Sequence, residues 1–243
     1  MNDVTVSSSG MRREAGQLRE ETLRVVAHEL RNPLSAIELA ATAVAEDLVD
    51  GTLAETGDSV RIILRSCLRA QRLVRDLLDS TSIGAGHLRL TRRSVNAGGL
   101  VREFAARQRG ILSSAKLELS LQIDDRERFV WADRDRLFQV LENLMGNSVK
   151  FTAGGGCVAI GVKPYGDFVV FRVSDSGIGI ATEHVPLVWQ PFWQAGDDDH
   201  RGLGLGLSIA KGIVEAHGGS MWIQSQPGVG TSIYFRIPDL PER

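Results

Sequence analysis

Residues 23–44, LRVVAHELRNPLSAIELAATAV, carry the pattern that decides the first half of the fold. Leu23, Leu30, Ile37 and Val44 recur every seven residues, interleaved with Val26, Pro33 and Ala40, which describes one apolar seam along a helix. A second stretch repeats it: Val60, Cys67, Val74 and Thr81 alternate with Ile63, Ala70 and Leu77. Asp50-Gly51-Thr52 between them reads as a turn. The expectation is a helical hairpin over 18–84 behind a flexible tail over 1–17. Two helices cannot enclose a core alone, so a homodimeric four-helix bundle through 18–84 is the simplest way to bury both seams. An intramolecular coiled-coil hairpin is the alternative.

After Ser82-Ile83-Gly84-Ala85-Gly86 the period changes from helical to alternating. Leu117, Leu119, Leu121 and Ile123 take every second position, as in a half-buried strand. Further strands are expected at 158–162, 168–174, 221–225 and 231–237, with helices near 96–113, 134–151 and 204–217. With 85–95 read as a linker, residues 96–243 form an α+β two-layer sandwich, helices on one sheet face.

Composition narrows the partners. Lys plus Arg total 28 against 30 Asp plus Glu, a net charge of −2, so no basic footprint points to nucleic acid or an anionic membrane. No apolar run approaches the roughly 20 residues that span a bilayer, and the polar start MNDVTVSSSG lacks a signal-peptide core. Cys67 and Cys157 each sit in an apolar periodic stretch, which argues against a disulfide framework and suits a reducing, cytoplasmic setting.

His28 lies about 200° around the helical wheel from Val26 and Leu30, so its imidazole points away from the seam. One ring nitrogen of a neutral imidazole can attack phosphorus if a neighbouring carboxylate accepts the proton on the other, and Glu29 is the candidate. Asn32 shares the His28 face one turn on. Pro33 removes a helical hydrogen bond and is expected to loosen or bend the helix there.

A second cluster suits a nucleotide. Asn143 and Asn147 are four apart on a helix whose other face carries Leu137, Val140, Leu141 and Leu144; Lys150 and Phe151 follow. Amide oxygens are hard ligands for Mg²⁺, the ammonium can offset phosphate charge, and the ring can cover a purine. Asp175 continues the core-facing side of the strand through Val169, Phe171 and Val173, where a carboxylate needs a partner such as the adenine amino group. Gly177 and Gly179 would let the backbone approach the base. Gly202, Gly204 and Gly206 precede a helix whose first amides could cradle phosphates, although the run fits neither a Walker loop nor a dinucleotide fingerprint.

The string VAHELRNPL closely resembles the H box of histidine kinases of the HisKA class. NLMGNSVKFT, DSGIGI, the QPFWQ segment, GLGLGL and GVGTSIYF resemble, in order, the N, G1, F, G2 and G3 boxes of their ATP domains. The resemblance implies a Bergerat-type ATP-binding fold on a dimeric phosphoacceptor hairpin. It implies His28 as phosphoacceptor, Glu29 as its acid/base partner and Asn32 as an aid to phosphatase chemistry. It implies Asn147 as main Mg²⁺ ligand, Asn143 and Lys150 on metal and phosphates, Phe151 near the base, Asp175 on adenine and Thr231 supporting the adenine end. ATP would be the substrate, Mg²⁺ the cofactor, and a response-regulator aspartate the final acceptor. The upstream sensor is not identified. Leu203 stands where that G2 box usually has Thr or Ser, and Trp193 to Arg201 make a short, acidic ATP lid. Those departures keep an ATP-binding scaffold as the alternative. An ATPase of the same superfamily would need a glutamate at position 143 as general base.

Overall fold

The computed structural model describes the backbone of residues 5–50, 56–124, 126–195 and 203–240, and the side chains of 1–24, 48–50 and 56 lie outside that description. The expected turn at Gly51-Thr52, Gly202 and the lid charges from Asp197 to Arg201 also fall outside the described residues. The chain divides into two compact units. Residues 1–78 lie in the first, and residues 79–196 and 204–243 make up the second.

The first unit holds α1 (Thr5–Asp50) and most of α2 (Thr56–Gly84). Helix α1 begins well before residue 18, so residues 5–17, expected as a flexible tail, are helical; no proline interrupts them, and 11–21 consist largely of good helix formers. The helix also runs through Pro33 unbroken. Its seam is as expected: Pro33 and Ala40 are buried, and Val26, Leu30, Ile37 and Val44 are partly covered. In α2 the seam is displaced. Ile63, Cys67, Ala70 and Leu77 face inward, but Val60, Val74 and Thr81 are exposed and Leu73 is the buried residue. A 3.6-residue helix drifts by about 20° per heptad, and the larger Leu73 takes the inward position that strict sevenfold spacing assigned to Val74.

The second unit begins with the last turn of α2, six residues before the expected boundary. Asp79 is buried there against Arg136 Nη1, 2.8 Å from each carboxylate oxygen, and accepts from Gln139 Nε2 at 2.6 Å. Then come β1 (Arg93–Asn96), α3 (Ala97–Ser114), β2 (Glu118–Ile123), β3 (Phe129–Ala132), α4 (Arg134–Phe151), β4 (Cys157–Tyr165), β5 (Phe168–Asp175), α5 (Gly206–Ala216), β6 (Ser220–Gln226) and β7 (Gly230–Pro238). Five strands form a sheet in the order β2-β4-β5-β7-β6, parallel only between β2 and β4. The parallel pair requires a crossover, and α4 lies within it. Strands β1 and β3 pair separately. At four residues each they are too short to show a period, and β1 converts the end of the expected linker into part of this unit.

Alternation sets the layers. Val158, Ile160 and Val162 of β4, Val169, Phe171 and Val173 of β5, and Ile233, Phe235 and Ile237 of β7 are buried on one face of the sheet, with α3, α4 and α5 against that sheet. Phe171 and Phe235 stack at 4.6 Å between ring centroids, a pairing worth about 0.5–1.5 kcal/mol beyond its buried area. Among the described residues no helix is long and apolar enough to cross a membrane.

The ends of α4 and α5 remote from the expected nucleotide cluster are joined by His217. It is buried; its Nδ1 lies 2.8 Å from the Ile213 carbonyl, and its Nε2 accepts the Asp133 backbone N–H at 3.0 Å. Burial pushes its pKa below the ordinary value, opposed by the hydrogen bond to the Ile213 carbonyl, with Arg92 lowering it and Asp133 raising it in smaller measure. The folded protein therefore holds this ring neutral while the unfolded chain takes up a proton near pH about 6.5. The stabilisation is complete above that pH and drains away as pH falls from there toward the depressed folded value. A thermal melt of the wild type should show Tm dropping over this window, and His217→Gln should flatten that part of the curve. A parallel slope in both proteins would show that other groups set it.

Candidate functional site

Helix α1 presents His28 and Asn32 on its exposed side, away from the partly covered Val26 and Leu30. Glu29 does not share that exposure. It is buried, and its Oε2 accepts from Arg69 Nη2 of α2 at 3.0 Å. Nothing in the sequence pattern marked Arg69, which stands among the many polar positions of α2.

In the second unit, helix α4 is aimed by its N-cap. Asp133 Oδ1 accepts from the backbone N–H groups of Asp135 and Arg136, and Asp133 Oδ2 accepts from Thr91 N–H. The buried stripe Leu137, Val140, Leu141 and Leu144 leaves Asn143 and Asn147 together on a half-buried flank. Asn143 Nδ2 donates to the Gly206 carbonyl at 3.0 Å. That bond ties α4 to the first residue of α5 and leaves Oδ1 without a hydrogen bond among the described residues. Asn147 has no side-chain hydrogen bond among the described residues. The Lys150 ammonium sits 4.6 Å from the centroid of the Phe151 ring, itself partly exposed.

Asp175, at the end of β5, is the carboxylate expected to need a partner such as the adenine amino group, and the protein itself supplies three donors: its Oδ2 accepts from Ser148 Oγ at 3.1 Å, and its Oδ1 accepts from the backbone N–H of Gly177 at 3.0 Å and of Thr231 at 3.3 Å. The carboxylate is only half-buried, so its orientation is fixed while part of it stays accessible. Ser148 is the residue the sequence reading missed. It was visible in principle as a hydroxyl one turn beyond Leu144 on the buried face of α4. Thr231 belongs to the same network: its hydroxyl lies 2.8 Å from Ser225 Oγ, which also accepts from Ile180 N–H and donates to the Gly230 carbonyl.

The glycines serve the chain's own backbone. A Cβ at Gly177 would overlap the Phe151 carbonyl, and one at Gly179, where φ is +70°, would overlap the carbonyl of Gln226. Tight folding of this loop against α4 and β6 is thus their local reason. Gly204, at φ +69°, would place a Cβ 2.7 Å from the Trp193 carbonyl, and its own carbonyl accepts from Phe192 N–H. Gly206 opens α5 with no side-chain cap, as a helix start with amides left for a ligand requires. Leu203 is buried, so the position that lacks a hydroxyl contributes packing.

Among the described residues no three His, Cys, Asp or Glu side chains come together as a metal site. A divalent cation here would rest on the amide oxygens of Asn143 and Asn147 and on ligand oxygens. The oriented Asn143 amide, with Nδ2 occupied and Oδ1 without a hydrogen bond among the described residues, fits that use.

Residues 132–241 match the family described as histidine kinase-, DNA gyrase B- and HSP90-like ATPase, and residues 18–86 match the His Kinase A (phospho-acceptor) domain. The chain is 31% identical over 242 residues to the sensor protein SrrB of Staphylococcus aureus, covering 97% of this chain and 40% of that protein. It therefore spans about two fifths of the length of that curated relative. Among solved structures it is similar to full-length ShkA in complex with AMPPNP, with a TM-score of 0.68 and 26% identity over 92% of this chain and 46% of that one. It is also similar to histidine kinase ThkA in complex with the response regulator protein TrrA, with a TM-score of 0.62 and 26% identity over 98% and 67% of the two chains. The likeness to Acinetobacter baumannii histidine kinase AdeS, at a TM-score of 0.65 and 23% identity over 87% of this chain and 97% of that one, concerns the fold.

Proposed function

We propose that this chain, which belongs to the two-component sensor histidine kinase family, uses ATP to phosphorylate His28 and passes the phosphoryl group to an aspartate of a response regulator. One observation carries the reading: a single chain holds an exposed, nucleophile-bearing helix face and, in a separate unit, an oriented Asp175 below the amide and ammonium flank of α4. In this reading Asp175 accepts from the adenine amino group, Phe151 covers the base, and Lys150 offsets phosphate charge. Mg²⁺ on Asn147 and Asn143 would neutralise part of the triphosphate's charge. His28 attacks the γ-phosphorus in line with the departing ADP, and Glu29 takes the imidazole proton. Hydrolysis in place of transfer is disfavoured, because position 143 is an amide that cannot act as base, and Glu142 is exposed on another face of α4.

Several further features support the reading. Leu34, Leu39, Leu64, Leu68 and Leu78 are exposed on the hairpin, an apolar surface that a second copy would cover in a four-helix bundle. The ThkA structure, which includes a response regulator, supports a receiver domain as partner. The two cysteines are free, which suits the cytoplasm. Incubation with γ-labelled ATP and Mg²⁺ should yield an acid-labile, alkali-stable phosphoprotein. Failure to label, or an acid-stable label, would remove the histidine kinase assignment.

Asn32 separates the two activities expected at the bundle. It shares the exposed face of His28 but has no part in moving the imidazole proton, so Asn32→Ala should spare autophosphorylation. Its amide is suited to orient water against a regulator's acyl phosphate, a contact worth about 10²-fold in rate when it forms only in the transition state. Dephosphorylation of a phosphorylated regulator should therefore fall far more than kinase activity. Equal losses would assign Asn32 to support of the helix beside Pro33.

A further inference from the structure

Glu29 is the sequence neighbour of His28 and its opposite in environment. The imidazole is exposed, whereas the Glu29 side chain retains only 3% of its surface, on the side of α1 that also buries Pro33 and Ala40. Its compensation comes from Arg69, forty residues away on α2, whose Nη2 lies 3.0 Å from Oε2 while 51% of the arginine side chain stays in solvent. A carboxylate withdrawn from water is tolerated only when paired and hydrogen-bonded. The inward position of Glu29 therefore depends on Arg69. Without that guanidinium the favourable direction for the carboxylate is outward, toward water and the face that bears His28.

We propose that Arg69 is a positioning residue that holds Glu29 inward and thereby restrains autophosphorylation, an inference that rests on the reading of His28 as acceptor and Glu29 as its proton partner. In the transfer step a bond forms between one imidazole nitrogen and the γ-phosphorus. The bond from that phosphorus to the bridging oxygen breaks, and ADP departs with the electron pair. The proton on the other ring nitrogen passes to the Glu29 carboxylate. In this proposal the carboxylate takes that proton from the outward position, so the inward ion pair removes the chain from the competent population. A signal that shifts α2 against α1 would change the Arg69–Glu29 distance and so the supply of base.

The test measures initial autophosphorylation rates of the full chain with γ-labelled ATP and Mg²⁺ at saturating nucleotide, with Tm and oligomeric state read alongside. Arg69→Gln is expected to raise the rate by roughly tenfold, the gain available when a competent state moves from about a tenth to nearly all of the population. Affinity for ATP should not change. Arg69→Lys, which keeps the charge, should stay near the wild-type rate. The double variant Arg69→Gln with Glu29→Gln should be as slow as Glu29→Gln alone, because the gain needs the carboxylate. Where Arg69→Gln fails to fold, Arg69→Met retains the aliphatic stem and serves the same comparison. A folded neutral variant with a rate equal to or below wild type overturns the proposal, as does a gain that persists without Glu29. Labelling that survives His28→Gln would instead sink the acceptor reading, so the two failures are distinct.

Discussion

Replacement of His28 by glutamine is expected to abolish acid-labile phosphorylation while leaving nucleotide affinity within about twofold of wild type, since a shift smaller than about 0.4 kcal/mol corresponds to less than a factor of two. The imidazole is exposed on α1 and belongs to no buried apolar seam, so the substitution removes a nucleophile without opening a cavity. Glutamine keeps polarity and helix propensity but offers no nitrogen lone pair able to attack phosphorus. Asn143, Asn147 and Asp175, the residues proposed to hold the nucleotide, lie in the other compact unit, which is why binding and transfer should come apart. Calorimetric titration with a non-hydrolysable ATP analogue, beside the labelling assay, checks both halves. Retained acid-labile phosphate in the variant would eliminate His28 as acceptor.

Asp175→Asn should produce the next largest effect, a loss of ATP affinity of about 10- to 100-fold with little change in Tm. The carboxylate accepts from Ser148 Oγ, Gly177 N–H and Thr231 N–H in the protein itself. An asparagine can retain those contacts by keeping its carbonyl toward the two backbone N–H groups and turning its amide toward the Ser148 hydroxyl, which can accept. The fold is therefore preserved. Toward adenine, however, an amide N–H would meet the exocyclic amino donor, and a charge-assisted hydrogen bond worth roughly 1.5–3 kcal/mol is lost. Ser148→Ala, which releases one of the three protein donors and leaves the carboxylate in place, should weaken binding less. Unchanged affinity in the Asp175→Asn protein would remove this residue from the site.

The two substitutions act at opposite ends of one proposed reaction, and a third control lies between them. In that proposal His28 supplies the nucleophile and Asp175 the hold on the base, while the Arg69–Glu29 ion pair would govern whether the proton has somewhere to go. Such a pair is weak evidence for stability, because the desolvation of Glu29 offsets much of its attraction to Arg69. Under the proposal above, the pair beside the proposed phosphoacceptor acts instead as control over the position of the Glu29 carboxylate.

Periodicity in the sequence was enough to determine the helical hairpin, the long strands and the helix that carries Asn143 and Asn147, because a seam repeated every seven residues or an alternation every two is a local property. The inward turn of Pro33 and Ala40, the outward turn of His28, and the end position of Asp175 on its strand follow from that register alone. Tertiary structure decided the rest, for one reason: a polar group's partner is chosen by packing between segments distant in sequence. Leu73, and not Val74, takes the buried place on α2. Ser148 reached Asp175 across 27 residues, and Arg69 reached Glu29 across 40. His217 closed on Asp133 across 84 residues. Strands β1 and β3 exist because each completes the other, four residues at a time, and neither carries enough chain to announce itself. The exposed face of His28, the proposed acceptor, could thus be read from the sequence, whereas the carboxylate beside it was legible only as a residue type; its burial and its arginine partner arise where two helices pack.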